Sequence, residues 1–317
     1  MKPAPFEYFC PATLEEALAL LAEHGSDAKP LAGGQSLIPA MNFRLATPSV
    51  LVDLNALNSL AHVTVGDRSV RIGGMTRHRT LETNADIARE LPLIAQTMPF
   101  VAHAAIRSRG TLGGSLAHAD PAAELPAVML ALQATVKVQK RDTIRDIPAA
   151  EFFTGLFSTA LEPGEILTEV EVPRTAGRTG FAFDEVSRRH GDFALAGAAA
   201  FVTVDDAGVC TSARVALLSV ADRPVIAEQV SRAFVGQALV GQRTPPGASG
   251  PPGGQRTTPG GQRTTAELIR DAAEASAAST DIDPASDIHA SSRYRRRLAA
   301  VLIRRVLERA FHSLESA

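Results

Sequence analysis

Leu31-Ala32-Gly33-Gly34-Gln35-Ser36-Leu37 decides the reading of this chain, and Thr111-Leu112-Gly113-Gly114-Ser115 answers it. Each stretch carries a glycine pair followed by a small polar residue, between an apolar segment and an expected helix. Glycine turns the backbone through φ > 0 and lets amide N–H groups approach a ligand with no Cβ in the way. Successive amides and a helix N-terminus make an anion site without a basic side chain. Neither stretch contains Lys or Arg. An anion there is expected to rest on main-chain amides and on the Ser36, Thr111 and Ser115 hydroxyls. Ordinary tight turns are the alternative, and the match between the two stretches weighs against it.

The composition narrows the class. With 317 residues the chain fits two or three domains. Hydrophobic content of 45% and charged content of 21% are those of a globular protein. A net charge of −2 implies no polyanionic partner, so no nucleic acid is expected. Cys10 and Cys210 lie far apart, which suits neither a disulfide framework nor an iron–sulfur or zinc site on this chain. No signal-like run opens the sequence and no stretch of about 18 apolar residues occurs, so a cytoplasmic protein without a membrane span is expected.

Taken in order, Thr13-Leu14-Glu15-Glu16 reads as a capping box opening a helix that Gly25 ends. Lys29 to Ala32 and Val50 to Leu54 read as strands, with helical turns from Leu37 to Leu45 between them. Val63–Val65 and Val70–Ile72 form a hairpin pattern. Thr80 to Arg89 and Pro92 to Val101 read as helices. Asp120-Pro121 reads as an N-cap followed by proline at the first helical position, opening a helix through Leu132. Ala134 to Gln139 and Ile166 to Val172 read as strands. The composition shifts to Arg, Thr and Gly around Pro173 to Gly180, where a domain boundary is placed. Beyond it come strands at Phe181–Val186, Phe193–Val204 and Ala213–Val220, then helices at Pro224–Phe234, Thr265–Ala278 and Ser292–Phe311. The last carries many arginines, read as a solvated face. Residues 237–263 contain a tandem Gly-Gly-Gln-Arg-Thr-Thr unit, too polar to bury a core and expected to be a disordered, low-complexity insert.

The motif blocks resemble the FAD-binding medium subunits of the molybdenum hydroxylases, the family of carbon monoxide dehydrogenase medium chains and of the flavin segment of xanthine dehydrogenase. The blocks are Ala32 to Leu37, Arg109 to Pro121, Phe153-Thr154-Gly155 before Glu165-Ile166-Leu167, and Ser187-Arg188-Arg189 before Gly191-Asp192-Phe193-Ala194. Ser286-Asp287, Ser291 and Tyr294-Arg295 follow near the end. The resemblance implies an α+β protein. A two-subdomain FAD-binding domain of the para-cresol methylhydroxylase (PCMH) type spans 1–176, with a subdomain boundary near 57. A smaller α+β domain with an antiparallel sheet and helices spans 177–317. It further implies noncovalent FAD held by Leu31, Ala32, Gly33, Gly34, Gln35, Ser36 and Leu37, and by Thr111, Leu112, Gly113, Gly114, Ser115 and Ala117. Asp120 and Glu124 would make polar contacts, Ile166 or Leu167 a backbone contact near the flavin ring, and Phe193 would lie near its face. The insert is not part of the family pattern, which leaves any docking surface there open.

Carboxylates accept hydrogen bonds from sugar hydroxyls, and Asp120 and Glu124 at i,i+4 are expected on one helix face. A plain N-cap for Asp120, a solvated position for Glu124 and a core position for Phe193 are the structural alternatives. His103 and His118 have no further His or Cys at ligand spacing, so no metal site is expected. No nucleophile–base motif occurs, so no side chain is expected to act as acid or base on an organic substrate. The function implied is electron transfer within a dimer of heterotrimers. A large subunit would carry the molybdenum cofactor and a small one two [2Fe–2S] clusters. A self-sufficient flavin oxidase or reductase on the same fold is the alternative. The substrate and the final electron acceptor are not legible.

Overall fold

The computed structural model describes residues 2–174, 177–238 and 264–316. The chain first builds a three-stranded parallel sheet from β1 (Glu7–Phe9), β2 (Ala28–Leu31) and β3 (Val50–Asp53), with β3 central. Helix α1 (Leu14–His24) packs on it through Ala17, Leu18 and Leu21. Thr13 caps the helix by accepting from Glu16 N at 3.2 Å, but the Glu16 carboxylate returns to Ala12 N rather than to Thr13. Gly25 ends the helix at φ +53°. Helix α2 (Leu37–Asn42) follows the first glycine stretch directly.

The middle of the chain adds a five-stranded sheet, in the order β4 (Val63–Val65), β5 (Ser69–Gly73), β10 (Ile166–Pro173), β6 (Thr135–Lys140), β7 (Thr143–Pro148). Between β5 and β6 come α3 (His78–Thr83), α4 (Ala85–Glu90), α5 (Pro92–Thr97), α6 (Ala104–Arg107), α7 (Leu112–His118) and α8 (Glu124–Ala131). The expected single helix from Thr80 to Arg89 is broken at Asn84. Its side chain accepts from Asp86 N and Ile87 N and restarts the helix as α4. Helix α9 (Ala149–Phe152) and the short pair β8 (Phe153–Gly155) and β9 (Ser158–Thr159) lead into β10.

The last part is an antiparallel sheet of β11 (Arg178–Ser187), β12 (Ala194–Val204), β13 (Cys210–Leu218) and β14 (Val225–Ile226), with α10 (Glu228–Phe234), α11 (Thr265–Ala278) and α12 (Ser292–Ser316). Every residue of β12 is buried. Ala199 and Phe201 join the core shared with the middle of the chain, whereas Ala196, Ala198, Ala200 and Val202 pack in the core that includes α12. A strand covered on both faces needs no polar alternation, which explains its continuous small apolar run. The expected helix from Pro224 starts only at Glu228, because Val225 and Ile226 pair with β13. The repeat insert lies outside the described residues except at its start, where Gln237 O accepts from Cys210 N at 2.9 Å.

Arg293, Arg297, Arg304, Arg305 and Arg309 of α12 are exposed, as expected of a solvated face, but Arg295 and Arg296 are drawn into the fold. Arg295 is 7% exposed and donates to Leu195 O and to Asp287 Oδ2, each at 2.6 Å. Arg296 donates to the carbonyls of Ala277, Ser279 and Ile282, and Arg309 to Phe183 O. Arg295→Ala would leave a buried carbonyl and a carboxylate without their donor. We expect a loss of about 2–4 kcal/mol, read as a lower urea midpoint than the parent chain.

Candidate functional site

The two glycine stretches come together by contact of bare backbone. A Cβ built on Gly33 would stand 2.8 Å from Gly110 Cα and closer still to Arg109 O. One built on Gly114 would stand 3.4 Å from Ala32 Cβ, and one on Gly113 would stand 2.7 Å from Gly74 O. Gly74 in turn accepts at its carbonyl from Gly113 N and donates from its own N–H to Thr168 O, each at 2.8 Å. This stack draws the first turn, the second glycine pair and the Ile166–Leu167 end of β10 into one neighbourhood. The glycines are therefore required first by protein-to-protein approach, not by a ligand alone.

The stretches are not equivalent. Gly113 and Gly114 lie inside α7, with Thr111 as its N-cap accepting from Gly114 N at 3.1 Å. The expected second turn is thus a helix start. Its amides are committed: Leu112 N to Thr76 O, Gly113 N to Gly74 O and Ser115 N to Thr111 O. In the first stretch the main-chain N–H groups of Gly33, Gly34, Gln35, Ser36 and Leu37 have no acceptor among the described residues. Gly34 has φ +71°, and Gln35 Nε2 folds back to Gly33 O at 3.0 Å. Donors from adjacent residues left unpaired on a turn with positive φ fit an anionic group. Ser36 is exposed and Ser115 half-buried, so both hydroxyls are within reach of solvent, whereas Thr111 is buried and serves as a cap.

Asp120 does not cap α8. Its carboxylate accepts from Ala122 N at 2.9 Å in a turn that precedes the helix, whose N-cap is Ala123. Asp120 and Glu124 therefore share no helix face, although they remain close enough to interact. Glu124 is buried, so the solvated alternative is excluded. Burial, then the Asp120 charge, raises its carboxyl to about 7. Glu185 on β11 is pushed up to about 8 by burial, then by Glu124 and Asp184, and its Oε2 has no hydrogen-bond partner. The Asp120–Pro121 turn meets the last sheet through Ser219, whose N–H donates to Pro121 O at 2.8 Å and whose hydroxyl donates to Ala194 O at 2.7 Å. Next to Ala194, Phe193 is 72% exposed, which rules out a core role. Ala117 is also exposed.

Sequence reasoning missed the residues behind the glycines. His78 is buried, and its Nε2 donates to Thr111 O at 2.9 Å. A carbonyl only accepts, which fixes this tautomer, and burial lowers the imidazole to about 4, so it is neutral. Asn55 Nδ2 donates to Ala32 O at 2.9 Å, and Arg77 Nη2 donates to Asn55 Oδ1 at 2.6 Å. Arg77, Asn55, His62, Thr80 and Asn84 line a cavity of about 210 Å³. No motif marks these positions; Arg77 simply precedes α3 and His78 opens it.

Comparison with known proteins gives this geometry a family. The family described as "FAD binding domain in molybdopterin dehydrogenase" matches residues 4–175, and that described as "CO dehydrogenase flavoprotein C-terminal domain" matches 181–248 and 258–310. The chain is 39% identical over 312 residues to the 6-hydroxypseudooxynicotine dehydrogenase complex subunit alpha of Paenarthrobacter nicotinovorans, covering 98% of this chain and 96% of that one. It is 36% identical to the carbon monoxide dehydrogenase medium chain of Afipia carboxidovorans, covering 98% of each. The solved carbon monoxide dehydrogenase of Hydrogenophaga pseudoflava superposes with a TM-score of 0.87 at 34% identity, over 99% of both chains. Quinoline 2-oxidoreductase from Pseudomonas putida 86 superposes with a TM-score of 0.85 at 35% identity, over 99% of this chain and 100% of that one. The fold and site define an FAD-binding chain of α+β architecture. It belongs to the family of FAD-binding medium subunits of molybdenum hydroxylases.

Two measurements check this geometry. Gly113→Ala places a methyl against the Gly74 backbone and should cost about 2–4 kcal/mol, whereas Gly25→Ala, with open space around its Cβ, costs only the strain of its positive φ, about 1 kcal/mol. For Glu124 and Glu185, folded values lie above the ordinary 4.5. The folded chain then binds more protons than the unfolded chain between about pH 4.5 and 8, and stability falls as pH rises through that window by roughly 2–4 kcal/mol. Urea midpoints of the ligand-free chain at pH 5.5 and 8.5 should show this, with Glu185→Gln flattening the slope.

Proposed function

We propose that the chain is the electron-transfer subunit of a molybdenum hydroxylase, passing electrons from [2Fe–2S] clusters of a small subunit through FAD to an external acceptor. The observation that carries the reading is the run of unpaired N–H groups from Gly33 to Leu37 beside the Thr111 helix start. In this reading those amides bind the FAD diphosphate, with the Ser36 and Ser115 hydroxyls beside them. Leu31, Ala32, Leu112, Gly113 and Gly114 form the wall that keeps the approach close. Asp120 and Glu124 accept from sugar hydroxyls, with a protonated Glu124 also able to donate. Ile166 and Leu167 supply main chain near the ring, and exposed Phe193 and Ala117 shield the cofactor from water.

FAD, when bound, supplies two-electron chemistry with accessible one-electron steps. The chain's own task is to bind and orient it. A large subunit with the molybdenum cofactor would choose the substrate. Curated relatives match over nearly their full length and are named as subunits or medium chains, which favours this reading over a self-sufficient flavin enzyme. We further propose a division into an FAD domain up to about 176 and a C-terminal domain beyond it, a cytoplasmic location and a dimer of heterotrimers.

The test is direct. The full chain should purify yellow, or bind FAD stoichiometrically after stripping; a chain that takes up none rejects the reading. Phe193→Ala should leave ligand-free stability within about 0.5 kcal/mol, because the side chain is exposed, yet weaken FAD about fivefold and shift the flavin absorption.

A further inference from the structure

The first glycine stretch has no cation of its own, yet a guanidinium stands behind it. Arg77 Nη1 donates to Arg109 O, the same carbonyl that closes on Gly33. Arg77 Nη2 donates to Asn55 Oδ1 at 2.6 Å, and Asn55 Nδ2 donates to Ala32 O at 2.9 Å. Asn55 is itself fixed by Asp53, whose Oδ1 accepts from both Asn55 N–H groups and whose Oδ2 accepts from Tyr8 at 2.5 Å. The backbone of Arg77 also bridges to Thr111, and the next residue, His78, donates from its main-chain N–H to Gly110 O at 2.9 Å and from Nε2 to Thr111 O. One short segment thus holds residues 109–111 on one side and, through Asn55, Ala32 on the other.

We propose that Arg77 is a positioning residue of the flavin site, its guanidinium tying the Arg109 carbonyl to Asn55 and so setting the spacing between the Gly33 turn and the Thr111 helix. The inference rests on the reading that these two elements hold the FAD diphosphate. The arrangement needs the arginine fork. Two acceptors in different directions are met by two nitrogens of one rigid plane, which a lysine ammonium on a flexible stem does not reproduce. Charge adds to geometry. The Arg109 guanidinium adds to the Arg77 charge and Asp53 offsets part of it, which leaves positive potential beside a turn of bare amides. No atom of Arg77 is required to touch the cofactor.

The experiment compares the parent chain with Arg77→Gln, Arg77→Lys and Asn55→Ala, each full length and stripped of flavin. Binding of FAD and of riboflavin, which lacks the diphosphate, is followed by flavin fluorescence, and unfolding midpoints are taken without flavin. We expect all three variants to weaken FAD about tenfold or more, and riboflavin less than about threefold, with ligand-free midpoints within about 3 °C of the parent. FAD affinity within twofold of the parent in Arg77→Gln overturns the proposal. Full rescue by Arg77→Lys also overturns it, because charge alone would then suffice. Equal loss of FAD and riboflavin with a lowered midpoint overturns it in favour of a general structural role. In each of these cases the parent still binds FAD and the functional reading stands; a parent chain that binds none removes both.

Discussion

The structure depends on backbone meeting backbone where glycine leaves room. Gly33 lies against Arg109 and Gly110, Gly113 against Gly74, and Gly74 against Leu167. These contacts join the parallel sheet, the helix start at Thr111 and strand β10 into one cradle. A Cβ at any of them would have to push main chain aside, and interiors packed at crystal density yield little. Among the described residues the amides of the first turn, Gly33 to Leu37, have no internal partners.

Polar groups at the rear make that approach specific. His78 donates from Nε2 to the Thr111 carbonyl, and its burial keeps the imidazole neutral. The Tyr8–Asp53–Asn55–Arg77 chain spans from β1 to the segment before α3 and fastens Ala32 from behind. Each member finds partners, so the network specifies one arrangement instead of weakening the core. At the other edge, Ser219 ties the Asp120–Pro121 turn to Ala194, the neighbour of exposed Phe193.

Part of this was legible because it is local. The cap at Thr13 and the hairpin at Val63–Ile72 depend on near neighbours in the chain, and their residues state them. The ordered motif blocks were enough to place the chain in its family. Other expectations failed for physical reasons. Asn84 looked compatible with one helix, but its amide bonds are better used restarting another. Asp120-Pro121 carries an N-cap signature, yet the carboxylate closes its own short turn first. Most α12 arginines are exposed as read, but Arg295 is buried, because sequence shows charge and not the Leu195 carbonyl waiting across the fold.

What the residues alone determined is the kind of protein: an α+β chain whose motif blocks, built on two glycine-rich stretches, place it in its family. The tertiary structure decided which stretch keeps its amides free and which spends them on a helix. It also decided that Glu124 is buried beside Glu185, that Phe193 is not core, and that Arg77 stands behind a turn without basic residues. Helix caps and strand alternation are written in short spans of chain, whereas hydrogen bonds between residues far apart in sequence exist only after the chain has closed on itself.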